Sequence, residues 1–91
     1  MEESKKQEKQ IGIITHYFDK IGVGVIDLTD GDVKAGETLR IQGSKTDFEQ
    51  TITSMQVDHQ DVAAAFKGDA VGMKMDNPVK ENDVVYKVLE G

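Results

Sequence analysis

The chain has 91 residues, with 11 basic and 17 acidic side chains, a net charge of −6, two histidines and no cysteine. This length supports one domain, and the absence of cysteine excludes disulfide bonds, thiolate metal sites and a cysteine nucleophile. Two histidines are too few for an ordinary zinc site, and a negative chain repels a phosphate backbone. We therefore expect no metal site, no cofactor and no DNA partner.

Residues 1–10 are polar and charged, and they contain no residue that would build a core. We predict a flexible charged tail over residues 1–10 and one domain over residues 11–91. A partner-binding arm is the alternative interpretation of the tail. The sequence has no apolar stretch typical of a signal peptide or a membrane span, so we expect a cytoplasmic protein without membrane contact.

Strands are predicted in close succession from residue 11 onward. Residues 11–18 and 23–28 are rich in β-branched and aromatic side chains, which favour strands. Residues 38–42 alternate, so Leu39 and Ile41 should face the core. The turn before this strand contains Gly36, for which we predict a positive φ.

The second half of the chain continues the pattern. Residues 48–57 form the longest predicted strand, with a change of phase that a β-bulge near residues 53–54 would explain. Residues 62–66 fit either a helical turn or a short strand. In the next strand, Met73 and Met75 should fill the core, and Asn82 is the expected left-handed residue of the last turn.

Short strands with frequent turns and no sustained helical period indicate an all-β domain. Two packed sheets or a small closed barrel would both fit this pattern. We favour a closed six-stranded β-barrel, because closure removes exposed strand edges from so small a domain.

The stretch from residue 31 to residue 43, GDVKAGETLRIQG, is the most informative part of the sequence. It resembles the central turn of the second domain of elongation factor Tu and related translation GTPases. Residues 22–25, 68–72 and 80–85 resemble further segments of that domain in the same order. The chain has no phosphate-binding loop, so the resemblance implies a translation-factor-like barrel that stands alone and does not bind GTP.

Two other stretches, residues 14–18 and residues 54–58, are similar to proteins outside the GTPases. One group is a set of small stand-alone barrels, and the other is the C-terminal barrel of collagenase-like peptidases. Both resemblances imply a barrel that works without a nucleotide-binding domain in the same chain.

In elongation factor Tu the barrel helps to hold the aminoacylated end of tRNA. Three positions of that surface align here with Gln56, His59 and Ala70, where the family has glutamate, arginine and asparagine. The resemblance implies a partner or acceptor-end surface at one rim of the barrel. Its candidate residues are Gln56, His59, Lys67, Gly68, Asp69 and Ala70.

Two histidine-containing segments need separate interpretations. Residues 58–61, Asp-His-Gln-Asp, could suggest a metal or acid–base site, but neighbouring side chains of a strand point to opposite faces. We interpret this segment as a solvated loop, with partner contact as the alternative. His16 is expected to be hydrogen-bonded and half-buried, with pH sensing as the alternative.

These observations predict a binding module without catalytic residues. Its main partner should be a protein, with weak tRNA or rRNA contact, in translation or an RNA-related process. The alternative is an accessory domain that completes an RNA- or peptide-processing enzyme in trans.

Overall fold

The structure, a computed structural model, describes residues 7–89. Within this range the chain forms ten strands and no helix. The all-β class predicted from the sequence is therefore confirmed. The strands are β1 (Gln7–Phe18), β2 (Val23–Leu28), β3 (Val33–Lys34), β4 (Thr38–Gln42), β5 (Asp47–Thr51), β6 (Met55–Val57), β7 (Gln60–Asp61), β8 (Ala64–Ala65), β9 (Ala70–Lys74) and β10 (Val84–Leu89).

Eight of the strands form one antiparallel sheet in the order β5-β4-β10-β1-β2-β9-β6-β7, and β3 and β8 form a separate two-stranded ribbon. The structure has more strands than the six expected, because several segments outside the predicted strands form strands of only two residues. Among residues 7–89 the backbone ladder ends at β5 and β7 and does not join them. The closed six-stranded barrel is thus not confirmed.

β1 begins at Gln7, four residues before the boundary predicted between tail and domain. Residues 7–10 pair with residues 86–89 of β10. The guanidinium of Arg40 on β4 lies 3.0 Å from the carboxylate of Glu8 and 2.9 Å from that of Asp47, and these contacts raise the pKa of Arg40. Part of the predicted tail is therefore strand, and residues 1–6 lie outside the described residues.

The core is built by the inward phases of the long strands. Leu39 and Ile41 are fully buried, and Met73 and Met75 are almost so, as the alternation predicts. Ile11 and Ile14 from β1 and Ile26 from β2 complete the centre of this cluster. Burial of a side chain of this size stabilises the fold by about 1.5–3 kcal/mol.

The strand predicted over residues 48–57 is divided into β5 and β6, so the prediction of one bulged strand is wrong. Ile52 leaves the ladder because its N–H donates to the carbonyl of Glu37 and its own carbonyl accepts from Gly36 N–H. The phase change was nevertheless placed correctly. Ile52 is buried before the break and Met55 is buried after it.

Gln50 connects the free edge of β5 to the end of β9. Its side-chain amide donates to the carbonyl of Lys74 at 2.8 Å and accepts from the N–H of Asp76 at 2.8 Å. The residue is only 6% exposed. The buried side-chain amide of Gln50 therefore links β5 to the end of β9, as backbone hydrogen bonds link two paired strands.

Two turn predictions are confirmed by backbone geometry. Gly36 has a φ of 94° and Asn82 a φ of 76°, both in the left-handed region. Residues 7–89 also include no helix that is long and apolar enough to cross a membrane.

Candidate binding groove on the outer face of the sheet

Four neighbouring strands, β1, β2, β9 and β6, present one continuous outer face. His16 is paired with Val25, Val25 with Gly72, and Gly72 with Gln56. Directly opposed residues of an antiparallel pair lie on the same face. These four residues therefore form a row across the sheet, on the side away from the core.

A shallow groove of about 460 Å³ lies on this face. Val23 and Val25 of β2 form its floor together with small residues of β9. Phe18 and Ile21 form one wall, and they are 47% and 59% exposed. The residues that line the groove are Phe18, Ile21, Val23, Val25, Gln56, Asp58, His59, Ala70 and Gly72.

The opposite wall is the turn between β6 and β7. Val57 pairs with Gln60, so Asp58 and His59 are the two residues of a hairpin loop. Both have positive φ, 54° and 65°, which matches a two-residue turn of the I′ type. Such a conformation costs a non-glycine residue about 1–2 kcal/mol, and here it places both side chains at the groove.

The sequence-based argument that residues 58–61 diverge assumed a continuous strand, and the turn removes that assumption. Asp58 and His59 both line the groove. Among residues 7–89, however, no group of three or more acidic, histidine or cysteine side chains is arranged to hold a metal ion. The segment therefore contributes polar contacts to the wall of an apolar groove.

The charges around the groove are mainly negative. Besides Asp58, the carboxylate of Asp61 accepts a hydrogen bond from Gln56 at 3.0 Å, and Asp27 lies opposite Ala70 on the same face. Lys74 approaches the wall, where its ammonium donates to the carbonyl of Ile21 at 3.0 Å. Lys20 lies in the same loop, next to Asp19. The local field therefore favours a positively charged ligand.

His16 is exposed, which corrects the expected half-buried histidine. Its side chain is 52% exposed, and its Nδ1 lies 3.6 Å from the carboxylate of Glu81. Its ring meets that of Phe18 edge to face, with centroids 4.3 Å apart. The imidazole thus supports the outer side of the Phe18 wall.

The structure divides the predicted partner surface. Gln56, His59 and Ala70 come together in the groove. Lys67 lies instead in a second recess, beside Lys9 and Asp32.

The other two residues of the predicted surface belong to the turn before β9. The N–H of Gly68 donates to the carbonyl of Leu28, and the carboxylate of Asp69 accepts from Phe66 N–H. Their observed hydrogen bonds therefore hold the turn in place.

Sequence reasoning missed the apolar half of the groove. Val23 and Val25 alternate with Gly24, Ile26 and Leu28, so β2 is apolar on both faces. A strand that is apolar on both faces is either covered on both or presents a contact surface. This apolar pattern on both faces is visible in the sequence and indicates that β2 is a candidate contact surface.

A second charged cluster lies away from the groove. The ammonium of Lys87 is 3.0 Å from the carboxylate of Asp32 and 3.8 Å from that of Glu37. The hydrogen bond and the charge of Lys87 lower the pKa of Asp32. These contacts tie β10 to the loop before β3 and to the turn before β4, so their role is structural.

Comparison with solved structures identifies the class of fold. The chain superposes on the C-terminal domain of a U32 peptidase from Geobacillus thermoleovorans with a TM-score of 0.80 at 17% identity, covering 87% of this chain and 91% of that one. A selenomethionine variant of the same domain gives a TM-score of 0.79 at 16% identity, with 85% and 96% covered. The fold is therefore that of a U32 peptidase C-terminal domain.

Comparison with curated proteins gives a particular relative. The chain is 39% identical over 88 residues to an uncharacterized protease of Methanocaldococcus jannaschii, which covers 96% of this chain. The matched part is 21% of that protease, so the chain spans about a fifth of its relative's length. No family model matches the chain. These results support the resemblance to collagenase-like peptidases and give no support to the link with elongation factor Tu.

Proposed function

We propose that this chain is a non-catalytic accessory domain that serves a peptidase-like enzyme by binding protein. The observation that carries the proposal is the 39% identity of nearly the whole chain to a segment of a protease more than four times as long. In that relative the domain is accompanied by a much larger remainder of chain. An accessory role explains why a peptidase would carry a small all-β domain of this kind.

The chemistry of the chain supports the non-catalytic part of the proposal. The chain has no cysteine nucleophile, and a serine or threonine nucleophile would need an adjacent base. Of the two histidines, His16 contacts Phe18 and Glu81, and His59 lies in a turn at the groove wall. The groove itself has an apolar floor, one exposed apolar wall and one polar wall, which suits binding.

The alternative in translation has weaker support. Gln56, His59 and Ala70 do adjoin, as the resemblance to elongation factor Tu implies. The groove is bordered by carboxylates, however, and Lys67 lies outside it. Because RNA binding depends on neutralising phosphates, this arrangement favours a protein partner over tRNA or rRNA.

We also propose that the sheet closes into a barrel. The Gln50 side chain spans the gap between β5 and the end of β9 with two hydrogen bonds. This side-chain contact would close the barrel between β5 and β9, where the backbone hydrogen bonds leave it open.

The accessory role can be tested in the Methanocaldococcus jannaschii protease. The segment that matches this chain would be deleted, and the chain would then be grafted in its place or added as a separate protein. Hydrolysis of a labelled unfolded polypeptide is the measurement. We expect the deletion to lower the rate by about tenfold or more, since remote binding contributes to the rate on long substrates, and the graft to restore it.

Two controls make the outcome decisive. A graft of an unrelated barrel of similar size should restore nothing. If the deleted protein kept its full rate on the labelled polypeptide, the proposed accessory role would be wrong.

A further inference from the structure

Gly72, in the middle of β9, is a glycine that its backbone does not require. Its φ is not in the left-handed region. A Cβ built on it would meet only Val23 Cγ1, at 3.7 Å, which is an ordinary contact. A glycine inside a strand weakens the strand, and it often marks a place where a ligand or another chain approaches closely.

The walls of the groove are held in place around this gap. The loop that carries Ile21 is closed by a hydrogen bond of 2.8 Å from Gly22 N–H to the carbonyl of Phe18. Lys74, at the end of β9, donates a second hydrogen bond to this loop, at the carbonyl of Ile21. Phe18 and Ile21 therefore stay exposed in a fixed arrangement, which reduces the entropy lost when a ligand binds.

The charged side chains at the border of the groove determine which apolar ligands it favours. Asp58 is part of the groove, Asp61 is bound to the groove residue Gln56, and Asp27 faces Ala70 across the strand pair. Of the cations near the wall, Lys74 is hydrogen-bonded to a backbone carbonyl, and Lys20 is next to Asp19 in the wall loop. A ligand with positive groups beside its apolar part would complement this border, whereas a phosphate chain would be repelled.

We propose that the groove binds a polypeptide segment in which one large apolar side chain is flanked by lysine or arginine. The apolar side chain lies over Gly72 and Val25, between Phe18 and the Asp58–His59 turn. The flanking cations face Asp27, Asp58 and Asp61. If the domain serves a peptidase, as proposed above, such a segment would be part of the substrate. That assignment rests on the proposed function, whereas peptide binding itself does not.

The groove and the two ends of the described chain lie at opposite ends of β1. Gln7 pairs with Leu89, so both ends of the described chain lie at one end of β1. His16, at the groove, is nine residues further along that strand, or about 30 Å at the usual rise of a strand. Gln7 and Leu89, the ends of the described chain, therefore lie far from the groove.

The probe for this proposal is a fluorescein-labelled nonapeptide with a central phenylalanine and two lysines on each side. Its controls replace the phenylalanine with serine, or the lysines with glutamates. A single-stranded oligoribonucleotide of nine residues tests the competing ligand class. Fluorescence anisotropy measures binding to the complete chain, without any enzyme.

Gly72→Leu fills the gap, and Ile21→Ser removes an exposed wall. Each should weaken binding of the lysine–phenylalanine peptide by about tenfold or more. Ala63→Leu adds nearly as much bulk to an exposed position outside the groove and should change binding by less than about twofold. Circular dichroism and melting temperature check folding, and Ile21→Ser decides the result if Gly72→Leu does not fold.

The proposal expects both peptide controls to bind at least about tenfold more weakly than the probe. It is overturned if the serine control binds as well as the probe, if Gly72→Leu and Ile21→Ser bind like wild type, or if the oligoribonucleotide binds more tightly than the peptide. Because no enzyme is present, a failure here leaves the deletion and graft experiment unaffected. Failure of that experiment would in turn leave peptide binding intact.

Discussion

Strands β2 and β9 have two faces that differ sharply. On the inner face, Ile26 and Val71 are fully buried and Met73 is 2% exposed. On the outer face, Val25 and Gly72 form the floor of an open groove. The same two strands thus combine a close-packed interior with an apolar surface that nothing in the described chain covers, so the two sides of one sheet differ in packing, and only the outer side is open to the proposed ligand.

The glycines of the sheet show the same difference. A Cβ at Gly12 would overlap the backbone carbonyl of Asp27, and one at Gly24 would lie 2.7 Å from Met75 Cε. At Gly72 the space is free apart from an ordinary contact. Packing against backbone therefore requires glycine at position 12, a side chain at position 24 would displace the end of Met75, and position 72 has room for a side chain.

The largest expected effect is on the tightly packed side. Gly12→Ala should lower the free energy of unfolding by about 3 kcal/mol, because the added methyl group can be accommodated only if the β1–β2 backbone moves. Urea unfolding followed by circular dichroism measures the change. An unchanged urea midpoint would show that the strands are less closely packed than the structure indicates.

Gln50→Leu should have the next largest effect. The substitution removes the two side-chain hydrogen bonds to the backbone of Lys74 and Asp76 and leaves those part-buried groups without their side-chain partner. We expect a loss of about 2 kcal/mol in the same urea experiment. Thr51→Leu, at an exposed position of the same strand, is the matched control and should cost far less.

On the outer face, Gly72→Ala should stabilise the fold slightly. Alanine fits the backbone and reduces the freedom of the unfolded chain, which contributes about 0.5 kcal/mol. Differential scanning calorimetry of the pair Gly12→Ala and Gly72→Ala compares the two faces directly. If both variants lost stability equally, the distinction between the faces would fail.

The smallest expected effect is a pH dependence from the ion pair of Asp32 and Lys87. The folded state lowers the pKa of Asp32 below its usual 3.8, so this carboxylate stabilises the fold above that pH, and the contribution is lost as pH falls through the folded pKa. Urea midpoints of wild type and Asp32→Asn should therefore differ at neutral pH and converge in strong acid. A difference that persisted in strong acid would point to a cause other than ionisation.

Local patterns were sufficient for much of the fold. The alternation around Leu39 and Ile41, the burial of Met73, and the positive φ at Gly36 and Asn82 each depend on a few neighbouring residues. Such features can be read from a short window because the side-chain period and the steric demands of a left-handed residue are local.

Features that depend on pairing between distant segments could not be predicted. The register of β1 shifts between Ile14 and His16, and His16 lies on the outer face. At the break after β5, Ile52 N–H donates to the carbonyl of Glu37 and the carbonyl of Ile52 accepts from Gly36 N–H. The short ribbon of β3 and β8 likewise exists only because two loops meet.

The candidate site was predicted in part for the same reason. Gln56, His59 and Ala70 follow from the family resemblance, and they do adjoin. The separate position of Lys67 and the contribution of Gly72 depend on how β9 lies against β2 and β6. One sequence without its pairing partners does not contain that information.

The Gln50 bridge also has a consequence for motion. β5 is attached to β4 by five residue pairs, whereas two side-chain hydrogen bonds attach it to residues 74 and 76. Since rotation of one side chain is enough to break both bonds, the domain should open along this line before any ladder separates. The N–H of Asp76 should then exchange with deuterium faster than the paired amides of β1 and β2. The contact between Gln50 and residues 74 and 76 is therefore where slow opening of the sheet should begin.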